Sequence, residues 1–273
     1  MVETRSAVKV LLEPGELGSL PGEKLLIVDL RKREDYEKEH IPGAVHLDTK
    51  SLVCGIKPAP GKLPDTKLIG ASLSAIGLRK DHHVVGYDDE GGGWAGRLLW
   101  TLDVIGHPRT SVLNGGIEGW KVAGCPLSRE IPETKESDYA ANPASGPLIS
   151  LKEILERLGD PSMALLDART PEEHNGSKVR AAKGGHIPGA VNLNWKDTMD
   201  ESRQRRLLPD DLLRSMLRLR KIGTEQQVVV YCHTHHRSAH SYMMLKHLGY
   251  PNIRAYDGSW SEWGNDPDTP VEL

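Results

Sequence analysis

Hydrophobic positions along the chain form short apolar runs that alternate with segments of helical spacing. Residues 25–28 and 228–231 are unbroken apolar runs typical of buried strands. Residues 209–219 are predicted to be a helix, because the apolar positions fall on one face and Pro209 suits a first turn. Gly223 is the expected stop of that helix. A second helix is predicted over 238–248, so strands and helices alternate as in a parallel α/β sheet covered on both faces.

The same motifs occur twice along the chain, which indicates an internal duplication. Five pairs of matching segments carry the repeat: 26–31 with 164–169, 40–45 with 186–191, 63–65 with 208–210, 84–87 with 228–231, and 106–108 with 249–251. Their separation is nearly constant, apart from an insertion in the second copy supplied by residues 175–185. We predict two tandem domains, 1–126 and 147–273, joined by a linker over 127–146 that is rich in Pro, Ser, Glu and Ala.

Composition fits two folded domains and excludes several other classes. Of 273 residues, 38% are hydrophobic and 27% are charged. The formal net charge of -3 gives no general attraction for nucleic acid or anionic membranes. The longest run without a charge, 139–151, contains two prolines, so no membrane span is expected. Residues 1–6 lack the apolar stretch of a secretory signal, and three cysteines make no disulfide framework, so we expect a cytoplasmic protein.

The two copies differ most in the loop that follows the strands ending at Tyr87 and Tyr231. Ligands of open α/β sheets bind at the carboxyl ends of the strands, where both loops lie. The first copy has three carboxylates there (88–90), for which we expect a solvated turn. The second copy has Cys232-His-Thr-His-His-Arg237, a thiol beside three imidazoles and a guanidinium. We therefore predict that the second copy carries the chemistry and that the first is a scaffold and pocket wall.

Cys232 is the predicted nucleophile. Backbone N–H groups of a strand-to-helix turn can converge on its sulfur, and the helix terminus adds partial positive charge. Arg237 and the neighbouring histidines also favour thiolate over thiol. A buried inert cysteine is disfavoured because five polar or charged neighbours are hard to bury beside it. The C-x4-R spacing is one residue shorter than the C-x5-R loop of cysteine phosphatases, so a single sulfur atom suits the ring better than a phosphoryl group.

A metal site in this loop is not expected, because ligands from one short loop without a glycine hinge cannot readily surround a tetrahedral ion. Several other residues have less specific interpretations. Trp195 could line the pocket mouth or pack in the core, and the basic run Arg203, Arg205 and Arg206 is expected on a solvated surface. The remaining cysteines, 54 and 125, are expected to be ordinary packed or loop residues. The repeated histidines, 40 and 186, are expected to serve the fold.

With its paired Asp-x-Arg and His-Ile-Pro-Gly-Ala motifs and one six-residue cysteine loop, the chain resembles a tandem rhodanese, a thiosulfate sulfurtransferase, over nearly its whole length. It is similar to a bacterial subgroup whose loop reads Cys-Gln-Thr-His-His-Arg, and only His233 departs from that pattern. The resemblance implies two rhodanese folds without a cofactor and a persulfide on Cys232 in the second. It also implies a small-molecule sulfur donor and a thiophilic acceptor such as cyanide or a thiol. The expected substrate-binding residues are the rest of the loop: His233, Thr234, His235, His236 and Arg237.

Three alternatives stay open at this point. A related branch uses 3-mercaptopyruvate and has a Cys-Gly-Ser-Gly-type loop, with an arginine at the position that Glu173 occupies here; both differences weaken that interpretation. A persulfide carrier that delivers sulfur to a partner protein thiol would show slow thiosulfate turnover but rapid transfer to the protein. A phosphatase would hydrolyse an aryl phosphate.

Overall fold

The structure is a computed structural model that describes residues 8–143 and 146–273. Residues 1–6, for which no leader was predicted, and residues 144–145 of the predicted linker lie outside the described part. The first repeat forms the following strands and helices in chain order: β1 (Leu11–Leu12), α1 (Pro14–Leu17), β2 (Leu25–Asp29), α2 (Arg33–Lys38), β3 (Val45–His46), α3 (Thr66–Ala75), β4 (His83–Tyr87), α4 (Gly93–Val104), β5 (Thr110–Leu113) and α5 (Gly116–Val122). The strands pair in parallel in the order β1-β5-β4-β2-β3.

The second repeat forms a four-stranded parallel sheet in the order β11-β10-β6-β7, with one additional antiparallel pair, β8 and β9. Its elements in chain order are α6 (Leu151–Glu156), β6 (Met163–Asp167), α7 (Pro171–His174), β7 (Val191–Asn192), β8 (Met199–Asp200), β9 (Arg206–Leu207), α8 (Asp210–Leu219), β10 (Gln227–Tyr231), α9 (Arg237–His247), β11 (Ile253–Ala255) and α10 (Ser259–Trp263). Within the described residues, no helix is long and apolar enough to cross a bilayer.

Each sheet has helices on both faces, because alternate residues of its strands are apolar on opposite sides. On β4, Val84 packs into a core with α3 and α4, whereas Val85 packs into a separate core with α1 and α5. The second sheet is covered by α8 and α9 on one face and by α6 and α10 on the other. The cores under α4 and α9 are continuous, so the two repeats share one hydrophobic interior. The α/β expectation of two parallel sheets covered on both faces is confirmed.

The predicted element boundaries hold with two corrections. Both apolar runs are strands, and the helix expected over 238–248 is α9, followed by Gly249 in the left-handed region (φ 79°). Pro209 lies just before α8 with an extended backbone (φ −54°, ψ 142°), so it caps the helix instead of forming its first turn. The expected stop at Gly223 is wrong, because the chain turns already at Lys221, which has a left-handed φ of 58°.

The repeated motifs outside the cysteine loop hold the turns of each domain together. In both copies the buried Asp-x-Arg motif forms a forked ion pair, Arg31 with Asp29 and Arg169 with Asp167. The backbone of His40 pairs with that of Ser128 in an isolated antiparallel β-bridge. In the second copy, the backbone of His186 pairs in the same way with that of Glu272. These contacts confirm a structural role for the histidines.

Helices α4 and α9 pack against each other at the centre of the molecule, and this contact positions the cysteine loop. Gly96 of α4 lies against the backbone of α9, since a Cβ added there would be 2.7 Å from the carbonyl oxygen of Ala239. Both helices begin immediately after the diverged loops. The loop of the first repeat therefore lies beside that of the second.

Candidate active site

Cys232 is the first residue after β10, and the loop that it opens leads into α9 at Arg237. Its side chain is 1% exposed and packs in a small cluster with Ala168, Trp195 and Met199. Both interpretations of Trp195 are compatible with this position, since the ring is buried and belongs to the same cluster as the cysteine. The thiol therefore lies at the carboxyl edge of the sheet, in a nearly closed space.

Polar groups of the loop lie beside the Cys232 sulfur. The hydroxyl of Ser238 and the backbone N–H groups of Thr234 and Ser238 act on the thiol in the direction that lowers its pKa. Burial raises the pKa of the Cys232 thiol, but the positive charge of Arg237 and these hydrogen bonds outweigh that effect, so the pKa lies below its ordinary value. The loop thus favours a sulfur anion in spite of its burial.

The first repeat shows the same loop geometry with a different anion. Asp88 follows β4 as Cys232 follows β10, and its carboxylate is 1% exposed. Its two oxygens accept hydrogen bonds from four backbone N–H groups, those of Glu90, Gly92, Trp94 and Ala95, at 2.9 to 3.1 Å. The expected solvated turn is therefore wrong for Asp88, because the tight turn before α4 directs its donors inward. In both repeats, the loop between strand and helix encloses an acidic side chain; burial and the nearby Glu90 charge raise the pKa of Asp88, whereas the pKa of Cys232 is lowered.

Arg237 forms a bidentate ion pair within the second domain. Its guanidinium donates to both carboxylate oxygens of Glu173, at 2.5 and 3.0 Å. Glu173 is 1% exposed, and Arg180 from the insertion lies 3.4 Å from the same carboxylate. Burial raises the pKa of Glu173, but the hydrogen bonds and charge of Arg237 dominate and lower it to about 2. The sequence analysis expected Arg237 to hold sulfur and donor directly; in this structure its fork is occupied by Glu173 and its charge acts on the sulfur through space.

The three loop histidines point in different directions. His235 is fully buried, with its ring edge-on to Trp100 of the first domain at 4.3 Å. His236 lies 2.9 Å from Glu90 and packs on Trp94, both in the first domain. The first domain therefore encloses the imidazole of His235, and substrate binding by this ring stays a prediction.

His233 is half-buried, as is His236, and no contact of its ring with the first domain is found among the described residues. Burial, together with the charge of Arg237, lowers its pKa, so the imidazole is neutral near pH 7. Its Nδ1 atom is buried and has no hydrogen-bond partner among the described residues. His233 is thus the loop histidine placed near the cations of the second domain, Arg237, Arg180 and Arg169.

A hydrogen-bond chain connects His235 to the sulfur. Nδ1 of His235 lies 2.7 Å from the Ser238 hydroxyl oxygen. If Ser238 donates its hydroxyl proton to a Cys232 thiolate, it accepts from His235, and the imidazole then carries its proton on Nδ1. Burial and the nearby Arg97 charge hold the pKa of His235 well below its ordinary value, so this donor is the neutral imidazole.

Sequence reasoning missed several residues at the site. Ser259, with a left-handed φ of 51°, accepts a hydrogen bond from the Cys232 backbone N–H at 3.3 Å. Arg97 of the first domain reaches the loop backbone. Arg205 and Arg206 are not simply solvated, since the first donates to the carbonyl of residue 89 and the second pairs with residue 13 across the domain interface. None of these contacts has a local sequence signal, because each partner lies far away along the chain.

Comparison with known proteins identifies the family of this fold. The rhodanese-like domain model matches the chain twice, over residues 13–123 and 150–266. A thiosulfate sulfurtransferase of Azotobacter vinelandii is 44% identical over 269 residues, 98% of each chain. A thiosulfate sulfurtransferase of Pseudomonas aeruginosa is 42% identical over the same length, again 98% of each chain.

A solved structure agrees at the level of the fold. The anaerobic ergothioneine biosynthesis enzyme of Chlorobium limicola, in complex with trimethyl histidine, superposes with a TM-score of 0.86 at 22% identity, over 97% of this chain and 70% of that one. The matches cover both repeats, and the sequence identity extends over nearly the full length. The chain therefore belongs to the rhodanese family and consists of two tandem rhodanese-like domains.

Proposed function

We propose that this chain is a thiosulfate sulfurtransferase that carries sulfur as a persulfide on Cys232. The observation that carries the proposal is the position of Cys232, a buried cysteine at the start of a tight strand-to-helix loop, where the charge of Arg237 lowers the pKa of its thiol. The names of the two relatives, which are more than 40% identical over nearly the whole chain, support the same activity. A thiolate that is present near neutral pH needs no separate base to act as a nucleophile.

The reaction has two displacement steps. The Cys232 thiolate attacks the outer sulfur of thiosulfate, a new S–S bond forms, and the S–S bond of thiosulfate breaks as sulfite leaves with the electron pair. The terminal sulfur of the resulting persulfide is then attacked by a thiophilic acceptor, such as cyanide or a thiol, and the Cys232 thiolate is restored. Donor and acceptor react in turn at one atom, so the kinetics should be ping-pong.

The loop lowers the barrier to the meeting of two anions. We propose that the N–H groups of Thr234 and Ser238 hold the persulfide, because they already point to the sulfur. Arg237 provides positive charge near the sulfur while Glu173 fixes its orientation. His233 is the proposed contact for the donor, since it is the loop imidazole that the first domain does not enclose.

The buried carboxylate of Glu173 weighs against 3-mercaptopyruvate as the donor. It occupies the position where the mercaptopyruvate branch has an arginine, and it takes up the Arg237 fork that could otherwise bind a substrate carboxylate. Thiosulfate requires no such pairing site for a carboxylate. We therefore propose thiosulfate as the preferred donor, with kcat/KM for 3-mercaptopyruvate as the direct comparison.

The decisive experiment is intact-mass measurement of the full chain before and after thiosulfate. The wild type should gain one sulfur atom, and cyanide should remove it as thiocyanate. Cys232→Ala should gain none, while the matched control Cys125→Ala should behave as wild type, because Cys125 is half-buried in the first domain. Sulfur uptake by Cys232→Ala, or hydrolysis of an aryl phosphate by the wild type, would contradict the proposal.

The cellular acceptor and location are part of the same proposal. All three cysteines are unpaired, as expected in a reducing cytoplasm, where low-molecular-weight thiols can accept sulfur. A protein thiol would be the acceptor if the persulfide reacted faster with a carrier protein than with small thiols. Single-turnover transfer from the isolated persulfide to each class of acceptor decides between them.

A further inference from the structure

The first domain places a buried cation against the catalytic loop. Arg97 of α4 is fully buried, and its guanidinium donates to three backbone carbonyls, those of Leu52 at 2.7 Å, Gly61 at 2.8 Å and His235 at 3.3 Å. Within the described residues it forms no ion pair with a carboxylate. A buried charge without an ionic partner is costly, and here only backbone carbonyls offset that cost.

The carbonyls that Arg97 binds belong to two segments in contact with each other. Leu52 and Gly61 lie on a segment of the first domain, residues 52–63, which we call the strap. The strap packs directly on the catalytic loop, since a Cβ added at Gly61 would lie 2.1 Å from the carbonyl oxygen of Thr234. The N–H of Leu63 donates to Asp257 of the second domain at 2.9 Å, which fixes the strap at its other end. Arg97 thus connects the strap to the loop.

The conformation of the loop depends on this connection. His235 has a left-handed backbone (φ 54°), and His236 follows in the right-handed region (φ −94°, ψ −58°). Successive residues of opposite hand turn their N–H groups toward one side, where an anion can bind. A left-handed residue other than glycine is strained and persists only where its surroundings hold it. The carbonyl of His235 is held by Arg97.

We propose that Arg97 is a positioning residue through which the non-catalytic first domain completes the sulfur-binding loop of the second. It holds the left-handed turn at His235 so that the N–H groups of Thr234 and Ser238 face Cys232, and its charge gains an anionic neighbour when the sulfur is ionised. This inference rests on the proposed function, since it concerns the same sulfur anion.

The electrostatics agree with the geometry. Burial lowers the pKa of Arg97 to about 10, while the charges of Asp257 and of the Cys232 thiolate favour its protonated form, so Arg97 is a cation at neutral pH. Other titratable or charged groups around Cys232 come from the loop, α7, α9 and the segment after β11: His233, His235, Arg237, Glu173 and Asp257. Arg97 is the cation that the first domain adds to this set.

The test measures Cys232 without any sulfur transfer. The rate of alkylation of full-length protein by iodoacetamide is followed against pH, with Cys54→Ala/Cys125→Ala as the background so that only Cys232 reacts. Arg97→Met should lower the alkylation rate at pH 7 about tenfold, which corresponds to one unit of thiol pKa. Arg97→Lys keeps the positive charge but cannot donate to all three carbonyls. The pH midpoint of its alkylation curve should therefore rise, but by less than the midpoint of Arg97→Met.

A matched control separates positioning from general stability. Lys246→Met removes an interdomain ion pair between α9 and Asp103 of α4, away from the loop, and should leave the alkylation midpoint unchanged. Gly61→Ala changes no charge but displaces Thr234, so it should raise the midpoint even if Arg97→Met does not fold. Unchanged midpoints in folded Arg97→Lys and Gly61→Ala would overturn the inference. If the wild type takes no sulfur from thiosulfate while these midpoints move, the proposed function fails and the positioning role stands.

Discussion

The buried pair of Glu173 and Arg237 affects both the free energy of unfolding and the reactivity of the Cys232 thiol. We predict that substitutions in this pair can change one of these properties without an equal change in the other. Replacing Arg237 with Gln removes the bidentate partner of a carboxylate that is 1% exposed. The remaining partners of Glu173 are Arg180, 3.4 Å away and half exposed, and the backbone N–H of Thr170 at 3.3 Å. The removal of one member of a buried pair is strongly destabilising because the other charge remains buried. We therefore expect Arg237→Gln to be much less stable than wild type.

The magnitude follows from the ionisation of Glu173. Its pKa falls from an ordinary 4.5 to about 2, and Arg237 makes the largest favourable contribution. One unit of pKa corresponds to about 1.4 kcal/mol, so the folded protein favours the ionised carboxylate by about 3 kcal/mol. Arg237→Gln should lose most of that free energy of unfolding. Glu173→Gln/Arg237→Gln, which buries no charge and keeps an amide pair, should lose only about 1 kcal/mol.

Urea denaturation at pH 7 measures the free energy of unfolding of each variant. The alkylation rate of Cys232 measures the fraction of its side chain that is thiolate. Both variants lose the positive charge beside the sulfur, so both should alkylate more slowly at pH 7 although only the single variant is strongly destabilised. Arg254→Gln is the control, because the pair of Arg254 with Glu153 is partly exposed and should contribute less than about 1 kcal/mol. A double variant as unstable as Arg237→Gln would refute the assignment of the stability loss to the unpaired carboxylate.

Two further predictions concern buried carboxylates. Because the pKa of Glu173 is lower in the folded state than in the unfolded state, its contribution is present above pH 4.5 and is lost as the pH falls toward about 2. About 2 kcal/mol of it is lost between pH 6 and pH 3, so urea denaturation at these two pH values should show about 2 kcal/mol less acid destabilisation in Glu173→Gln than in wild type. Asp88→Asn leaves one side-chain oxygen for four N–H donors and should lower stability by about 1 to 3 kcal/mol. Its Cys232 should still take up one sulfur from thiosulfate, and a variant that lost sulfur uptake while keeping wild-type stability would contradict the scaffold role of the first loop.

The features that sequence analysis predicted are those encoded locally or by repetition. Apolar runs gave the strands, and the duplication gave two domains of one fold. The contrast between the loops at 88 and 232 predicts where the chemistry lies, because a change at a repeated position stands out against a constant background. Helix ends were less well predicted, since the left-handed residue that ends α8 is Lys221 and not a glycine.

The contacts that tune the site depend on distant residues and could not be read from spacing. Glu173 meets Arg237 only because α7 and α9 start at the same edge of the sheet, and sequence comparison indicated only that a family arginine is absent there. The acceptor for Arg97 is a backbone carbonyl, which any residue type provides, so no side-chain pattern marks it. Three consecutive carboxylates at 88–90 predicted a solvent-exposed turn. At Asp88, however, four backbone N–H groups that point into the loop form the hydrogen bonds that water would have formed.

The two loops explain how one fold supports a scaffold and a catalyst. Each loop offers convergent N–H donors to the first side chain after its strand, and in both copies that side chain bears or favours a negative charge. A carboxylate at Asp88 cannot add or release sulfur. Its hydrogen bonds instead fix the start of α4, and Arg97 lies one turn further along that helix. The sulfur of Cys232 can bind a second sulfur atom, and the resulting persulfide remains an anion within the same kind of loop. The buried carboxylate of Asp88 in the first copy thus stabilises α4, and α4 carries the arginine that holds the cysteine loop of the second copy in place.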